Sequence, residues 1–128
     1  MNDTDDRYTE GMRVRREVLG HEHLDRTVAA TGALDDAFQR HLTETAWGGP
    51  WARDELDRRT RSCITIAALT TLRATEELAL HVRAGVRNGL SPDEIAEVIL
   101  HTSVYAGIPA ANTAMAVAKR VLDETPEG

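Results

Sequence analysis

Glycine and proline cut this chain into pieces of helical length, and that punctuation constrains the fold more than any other feature. Gly20 stops a first segment opened by Thr4 or Asp5, residues 47–51 read WGGPW, and Gly89, Gly107 and Pro109 mark later breaks. Between the breaks, apolar residues recur every three or four positions. Nowhere do they alternate with the period of two that a half-buried strand requires.

In 33–45, Leu34, Ala37, Phe38, His41 and Leu42 fall at helical spacing. Residues 58–72 contain CITIAALTTL, apolar or small nearly all round, the pattern of a helix buried on every side. In 76–88, Leu78, Val82, Gly85 and Val86 form a core stripe beside a second stripe of Glu77, His81, Ala84 and Asn88. SPDE at 91–94 is a capping box with proline at the first helical position, and Ile95, Val98, Ile99, Thr102 and Ala106 then point inward. A last helix covers 110–124, while HEHLDRTVAATG reads as a loop or a short helix. The expectation is an all-α, single-domain fold of about six helices over 1–128, with loose ends at about 1–6 and 125–128.

Composition narrows the function. A chain of 128 residues can bury roughly two-thirds of its unfolded surface in one core. Its net charge of −6 argues against a nucleic-acid partner. No apolar run approaches the ~20 residues of a membrane span, and the acidic start MNDTDDRYTEG is unlike a secretory leader. A lone Cys63 builds no disulfide framework, so a cytoplasmic protein is expected. With aromatics at only 4%, the core must come from Ala, Val, Leu and Ile. A wholly apolar helix in so small a chain is most easily covered between subunits, which predicts a homo-oligomer.

The chemistry on offer is proton transfer near arginines. Glu77 sits one turn before His81, where a carboxylate favours the imidazolium and suits it to act as a general acid. The same spacing equally describes an ordinary helix-surface pair. Arg58, Arg59 and Arg61 open the apolar helix and Arg83 follows His81; arginines hold carboxylates in bidentate geometry, or simply solvate a helix start. Trp47 and Trp51 flank the Gly-Gly-Pro turn and either wall a pocket or anchor that loop. Tyr105 and Asn112 bracket AGIPAA, where their polar tips could enter a cavity. His21 and His23 are two apart and do not face each other on a helix; with no HExxH or CxxC, no metal and no cofactor is expected. Cys63 reads as a small core residue, and His41 and His101 as structural.

Taken in order, YTEGMRVRREVLGHEHLDR, AWGGPWARDELDRRTRSCITIAAL and ELALHVRAGVRNGLSPDEIAEVILHTSVYAGIPAANTAM make the chain resemble the 4-carboxymuconolactone decarboxylase family from about Tyr8 to Leu122. The resemblance implies the small all-α fold shared with AhpD-like proteins and a ring-like hexamer, with a trimer as the alternative. It implies conversion of 4-carboxymuconolactone to 3-oxoadipate enol-lactone and carbon dioxide in protocatechuate breakdown by the β-ketoadipate pathway. It also implies His81 as the catalytic residue; from the four-residue spacing, Glu77 is expected to orient and charge it. Arg61, Arg58, Trp47, Trp51 and Tyr105 are then expected to contact a lactone dicarboxylate. AhpD-like peroxidases carry Cys-x-x-Cys-x-x-x-His; counting back from His81, Ala74 and Glu77 occupy the cysteine positions, which leaves disulfide-based peroxide reduction without its thiols. A non-catalytic binder of small carboxylates on the same fold is the third reading.

Overall fold

The computed structural model describes residues 3–124, and its contacts divide the chain into two compact units, Met1–Leu56 and Asp57–Gly128. Among the described residues there are seven α-helices and no strand, so the all-α expectation holds with one helix more than anticipated. The loose end expected at 125–128 lies outside the described residues, and at the other end the chain is helical from Asp3.

The first unit holds α1 (Asp3–Leu19), α2 (His21–Ala30) and α3 (Asp36–Leu42). The ambiguous HEHLDRTVAATG segment is the extra helix. Gly20 makes the corner at φ 96°, and Leu24 is fully buried beneath it. The helix expected at 33–45 starts later, at Asp36, and its α-helical part ends at Leu42, short of the glycines that break the run. It runs on through a π-helical turn, Thr43–Trp47, and the chain then makes a 3-10 turn, Pro50–Ala52.

Two glycines explain why the π turn sits against α1. A Cβ on Gly11 would lie 2.2 Å from the Thr43 carbonyl oxygen, and one on Gly48 would lie 2.5 Å from the Arg7 carbonyl oxygen. Backbone meets backbone here, which no larger residue allows. The Gly48 N–H donates to the Thr43 carbonyl at 2.8 Å, closing the wide turn.

The second unit is a four-helix cluster: α4 (Arg58–Leu72), α5 (Thr75–Arg87), α6 (Pro92–Ala106) and α7 (Ile108–Glu124). Its core joins Ile66 of α4, Leu78 and Val82 of α5, Ile95 and Ile99 of α6, and Ala114, Val117 and Val121 of α7, with Leu90 from the intervening loop. The alanines of α7 let its backbone come close, as small side chains do. One expectation is corrected. α4 is not enclosed on every side: Ser62, Ile66 and Thr70 are buried, whereas Ile64 and Leu72 are exposed, Leu72 by 73%. Within this unit α4 has neighbours along one face only, so its second apolar face is left open.

The helix ends follow local chemistry. Asp57 caps α4, its carboxylate accepting the Thr60 N–H at 2.7 Å. α4 ends on Arg73, a non-glycine residue at φ 56°, before the chain reverses into α5. The predicted box at α6 is complete: Glu94 N–H donates to Ser91 Oγ at 3.1 Å and Ser91 N–H to Glu94 Oε1 at 2.9 Å. Replacing Ser91 with Ala is expected to cost about 1 kcal/mol, read from urea unfolding.

The Asp57 cap also gives a pH prediction. The Thr60 N–H hydrogen bond, with Arg59 adding attraction, holds the carboxyl below its ordinary range despite some opposing desolvation. A folded-state pKa below the unfolded one means the cap stabilises fully above the unfolded value and is lost as pH falls through the folded one. Asp57→Asn keeps an acceptor but cannot titrate. Below about pH 4 the wild type should therefore lose thermal stability more steeply than this variant, in parallel melting curves. Identical slopes would refute the cap's part in acid sensitivity.

Candidate active site

α4 and α5 form an antiparallel hairpin, and one polar contact records its register: Asn88 Nδ2 donates to Ser62 Oγ at 3.1 Å. Ser62 is fully buried on α4. Arg58 and Arg61 occupy the same end of the hairpin, on the first turn of α4, and both are half-buried. His81 lies seven residues before Asn88, about 10 Å along the helix axis, towards the closed end. Its imidazole is only 9% exposed. Arg58, Arg61 and His81 are all engaged in contacts of their own. The hairpin therefore presents guanidinium groups at one end and a sequestered imidazole further along.

The predicted second stripe of α5 divides. His81 and Ala84 are buried and Asn88 is half-buried, but Glu77 is exposed. Glu76 and Glu77 stand in solvent on the first turn of α5, where the positive end of the helix dipole favours carboxylates. The four-residue spacing is as expected, yet the carboxylate opens to water while the imidazole lies inside. Coupling between the two is then that of a solvent-screened pair.

The other arginines are occupied elsewhere. Arg59 is exposed and pairs with Glu94, and exposed Arg83 reaches Glu124 at 3.7 Å. These are the solvated readings allowed by the sequence. Tyr105 is 79% exposed and its ring lies against His101, 5.4 Å between centroids, so this unit does not draw it inward with His81. Asn112 is exposed as well. The reason is common to both: the α6–α7 corner at Gly107 turns outward, with Val104 and Ile108 also in the open.

Trp47 and Trp51 belong to the first unit and pack on each other, ring centroids 5.1 Å apart, with Trp47 buried. Cys63 is half-buried beside Ile64 and Ala67 in a shallow groove between α4 and α6, which also holds His101. His21 Nδ1 lies 3.2 Å from Arg16 Nη1, and His23 neighbours Thr27 on α2. Among the described residues no group of three or more His, Cys, Asp or Glu side chains is arranged to hold a metal ion, and no helix is long and apolar enough to cross a membrane.

Sequence reasoning passed over Ser62. The available signal was a hydroxyl inside an otherwise apolar stripe, four residues before Ile66 on the buried face of α4. It also passed over Arg15, which shares a helix face with Gly11 and Val18 at i, i+4 and i+7 and is buried with them.

The structure thus sets a buried histidine on a helical hairpin, with arginines at the hairpin's open end and no cysteine pair beside the histidine. The family model described as "Carboxymuconolactone decarboxylase family" matches residues 36–120. This chain belongs to that family, and so to an enzyme class of decarboxylases. Among individual relatives, the 4-carboxymuconolactone decarboxylase of Acinetobacter baylyi is 44% identical over 124 residues, covering 97% of this chain and 92% of the relative. The nitrosuccinic acid decarboxylase of Metarhizium robertsii is 36% identical, covering 91% of this chain and 82% of that protein. An uncharacterized 15.0 kDa protein of Paracoccus denitrificans is 33% identical over 83% of this chain and 79% of its own length.

Proposed function

We propose that the chain decarboxylates 4-carboxymuconolactone to 3-oxoadipate enol-lactone, with His81 delivering the proton. The observation that carries this is a buried imidazole on the hairpin that also bears Arg58 and Arg61, in a chain 44% identical to a protein of that named activity.

The substrate supplies its own electron sink. Its departing carboxylate stands γ to the lactone carbonyl across a double bond. As the carbon–carboxylate bond breaks, the electron pair moves through the double bond onto the carbonyl oxygen and carbon dioxide leaves. The resulting furan-like dienolate takes a proton at the α-carbon from the imidazolium, which recovers its proton from water. The protein's work is to orient two carboxylates, to stabilise negative charge on the lactone oxygen and to place one proton. Arg58 and Arg61 meet the first two needs. Burial of His81 keeps the donor away from bulk water.

Glu77 contributes a screened charge. Trp47 and Trp51 are proposed as substrate contacts that offer the departing carboxylate a less polar surface, and alanine at each is expected to raise KM. The enzyme is proposed to work in the cytoplasm as a homo-oligomer. The open apolar faces of α4 and the α6–α7 corner, with Ile64, Leu72, Leu100, Val104 and Ile108 exposed, support self-association. Light scattering distinguishes hexamer from trimer, and a monomer would refute it.

The test is direct. Generate 4-carboxymuconolactone with the preceding cycloisomerase, add this protein, and follow lactone loss and carbon dioxide together. Equal amounts of both are expected, without added metal or cofactor. Saturable binding without carbon dioxide would instead identify a carboxylate-binding protein, and thiol-dependent peroxide consumption a peroxidase.

A further inference from the structure

The entry into α4 carries charge where a helix disfavours it. Arg58, Arg59 and Arg61 stand on its first turn, at the positive end of its dipole, and inside the Asp57 cap that turn holds no acidic residue. Residues 53–57, which lead into it, are all exposed. A first turn of this kind frays unless a neighbour holds it. Here the neighbours are the end of α5 and the loop that follows it.

Two contacts set the register of the hairpin at this end. Ile66 Cδ1 lies 3.3 Å from where a Cβ on Gly85 would stand, and one turn further out Asn88 Nδ2 donates to Ser62 Oγ at 3.1 Å. Arg58, Ser62 and Ile66 are spaced by four, and His81, Gly85 and Asn88 by four and three, so each set shares one face of its helix. Asn88 is itself firmly placed. Its backbone N–H donates to the Ala84 carbonyl at 2.8 Å, Gly89 takes φ 105°, and the N–H of buried Leu90 returns to the Gly85 carbonyl at 2.9 Å. A left-handed glycine thus closes the C-terminus of α5. Ser62 is fully enclosed. The Asn88–Ser62 bond therefore ties a rigid helix end to a buried point on α4 next to the arginines, and it sets the negative end of one dipole beside the charged start of the other. Arg59 adds a second brace: its Cδ lies 3.9 Å from the Cβ position of Gly89, and its guanidinium pairs with Glu94 on α6.

We infer that Asn88 is a positioning residue for the carboxylate-holding end of the hairpin: through Ser62 it fixes the turn of α4 that carries Arg58 and Arg61. This rests on the role proposed above for those two arginines. A guanidinium fork takes a carboxylate bidentately only in a fixed orientation. A turn released from its tether would therefore lose hold of a dicarboxylate, while the proton donor on α5 stays where it is.

Succinate, whose carboxylates are separated by two carbons as in the proposed substrate, reports on this end of the hairpin without turnover. In the full-length protein, Asn88→Ala is expected to weaken succinate binding, read by calorimetry, by about fivefold, the worth of one neutral hydrogen bond. KM for 4-carboxymuconolactone should rise by a similar factor, with kcat within about twofold of wild type. Ser62→Ala should behave alike, and the double variant should be no worse than either single one, because both remove the same bond. Should Asn88→Ala fail to fold, Ser62→Ala carries the test, since it removes one buried oxygen and adds no bulk. Unchanged succinate affinity in the folded variants overturns the inference. So do additive losses in the double variant, a fall in kcat at constant KM, or a wild type that binds no succinate. A wild type that binds succinate, with the variants weakened as expected, yet releases no carbon dioxide from the lactone refutes the proposed decarboxylation and leaves the tether standing.

Discussion

His81→Gln is expected to lower kcat for 4-carboxymuconolactone by at least about 100-fold, since positioned general acids contribute 10²–10⁴-fold. Glutamine fills much of the imidazole's space and retains hydrogen-bonding groups, but it has no proton to give at neutral pH. KM should change far less than kcat, because the groups proposed to hold the substrate's carboxylates are Arg58 and Arg61. The variant's melting temperature should stay near that of the wild type, which separates lost chemistry from lost structure. Turnover within a few-fold of wild type in a folded protein would remove His81 from the proton-transfer step. Glu77→Gln offers a graded comparison. With Glu77 exposed, its coupling to His81 is that of a surface pair worth at most about 1 kcal/mol. The expected loss is therefore less than about fivefold.

Gly11→Ala should be the most damaging single methyl group in the first unit. The added Cβ would stand 2.2 Å from the Thr43 carbonyl oxygen and 3.0 Å from the Gly48 nitrogen. All of these are backbone atoms, so relief requires α1 or the π turn to move as a body. Alanine's better helix propensity returns about 1 kcal/mol, while overpacking of this kind costs 1–3 kcal/mol and occasionally more. A clash with two backbone groups of the π turn belongs at the upper end, giving an expected net loss of about 2 kcal/mol in urea unfolding. Gly32→Ala is the control, because nothing lies within 4 Å of its Cβ position; it should be neutral or slightly stabilising. If the two variants unfold alike, the close approach of α1 to the π turn is not what holds this unit.

Much of this architecture can be read without coordinates. Wherever a helix end is made by its own neighbours, as at Ser91–Glu94 or Gly107, local residues determine it, because a cap forms within one turn of chain. The same holds for His81, whose place in ELALH and whose helical face follow from a period of 3.6. The π turn at Thr43–Trp47 was illegible, since WGGPW reads as a plain helix stop. Only the approach of α1 shows that Gly48 serves packing.

The sequence by itself determined the all-helical class, most helix boundaries, the histidine and the absence of a cysteine pair around it. Tertiary structure alone decided exposure: that Glu77 faces water while His81 does not, that Arg59 and Arg83 are committed to Glu94 and Glu124, that Tyr105 turns outward, and that Arg15 is buried. The physical reason is that helical periodicity assigns a residue to a side of its own helix and says nothing of where the neighbouring helix ends. Whether a charge on that side meets solvent, a partner or a cavity depends on backbone from distant parts of the chain.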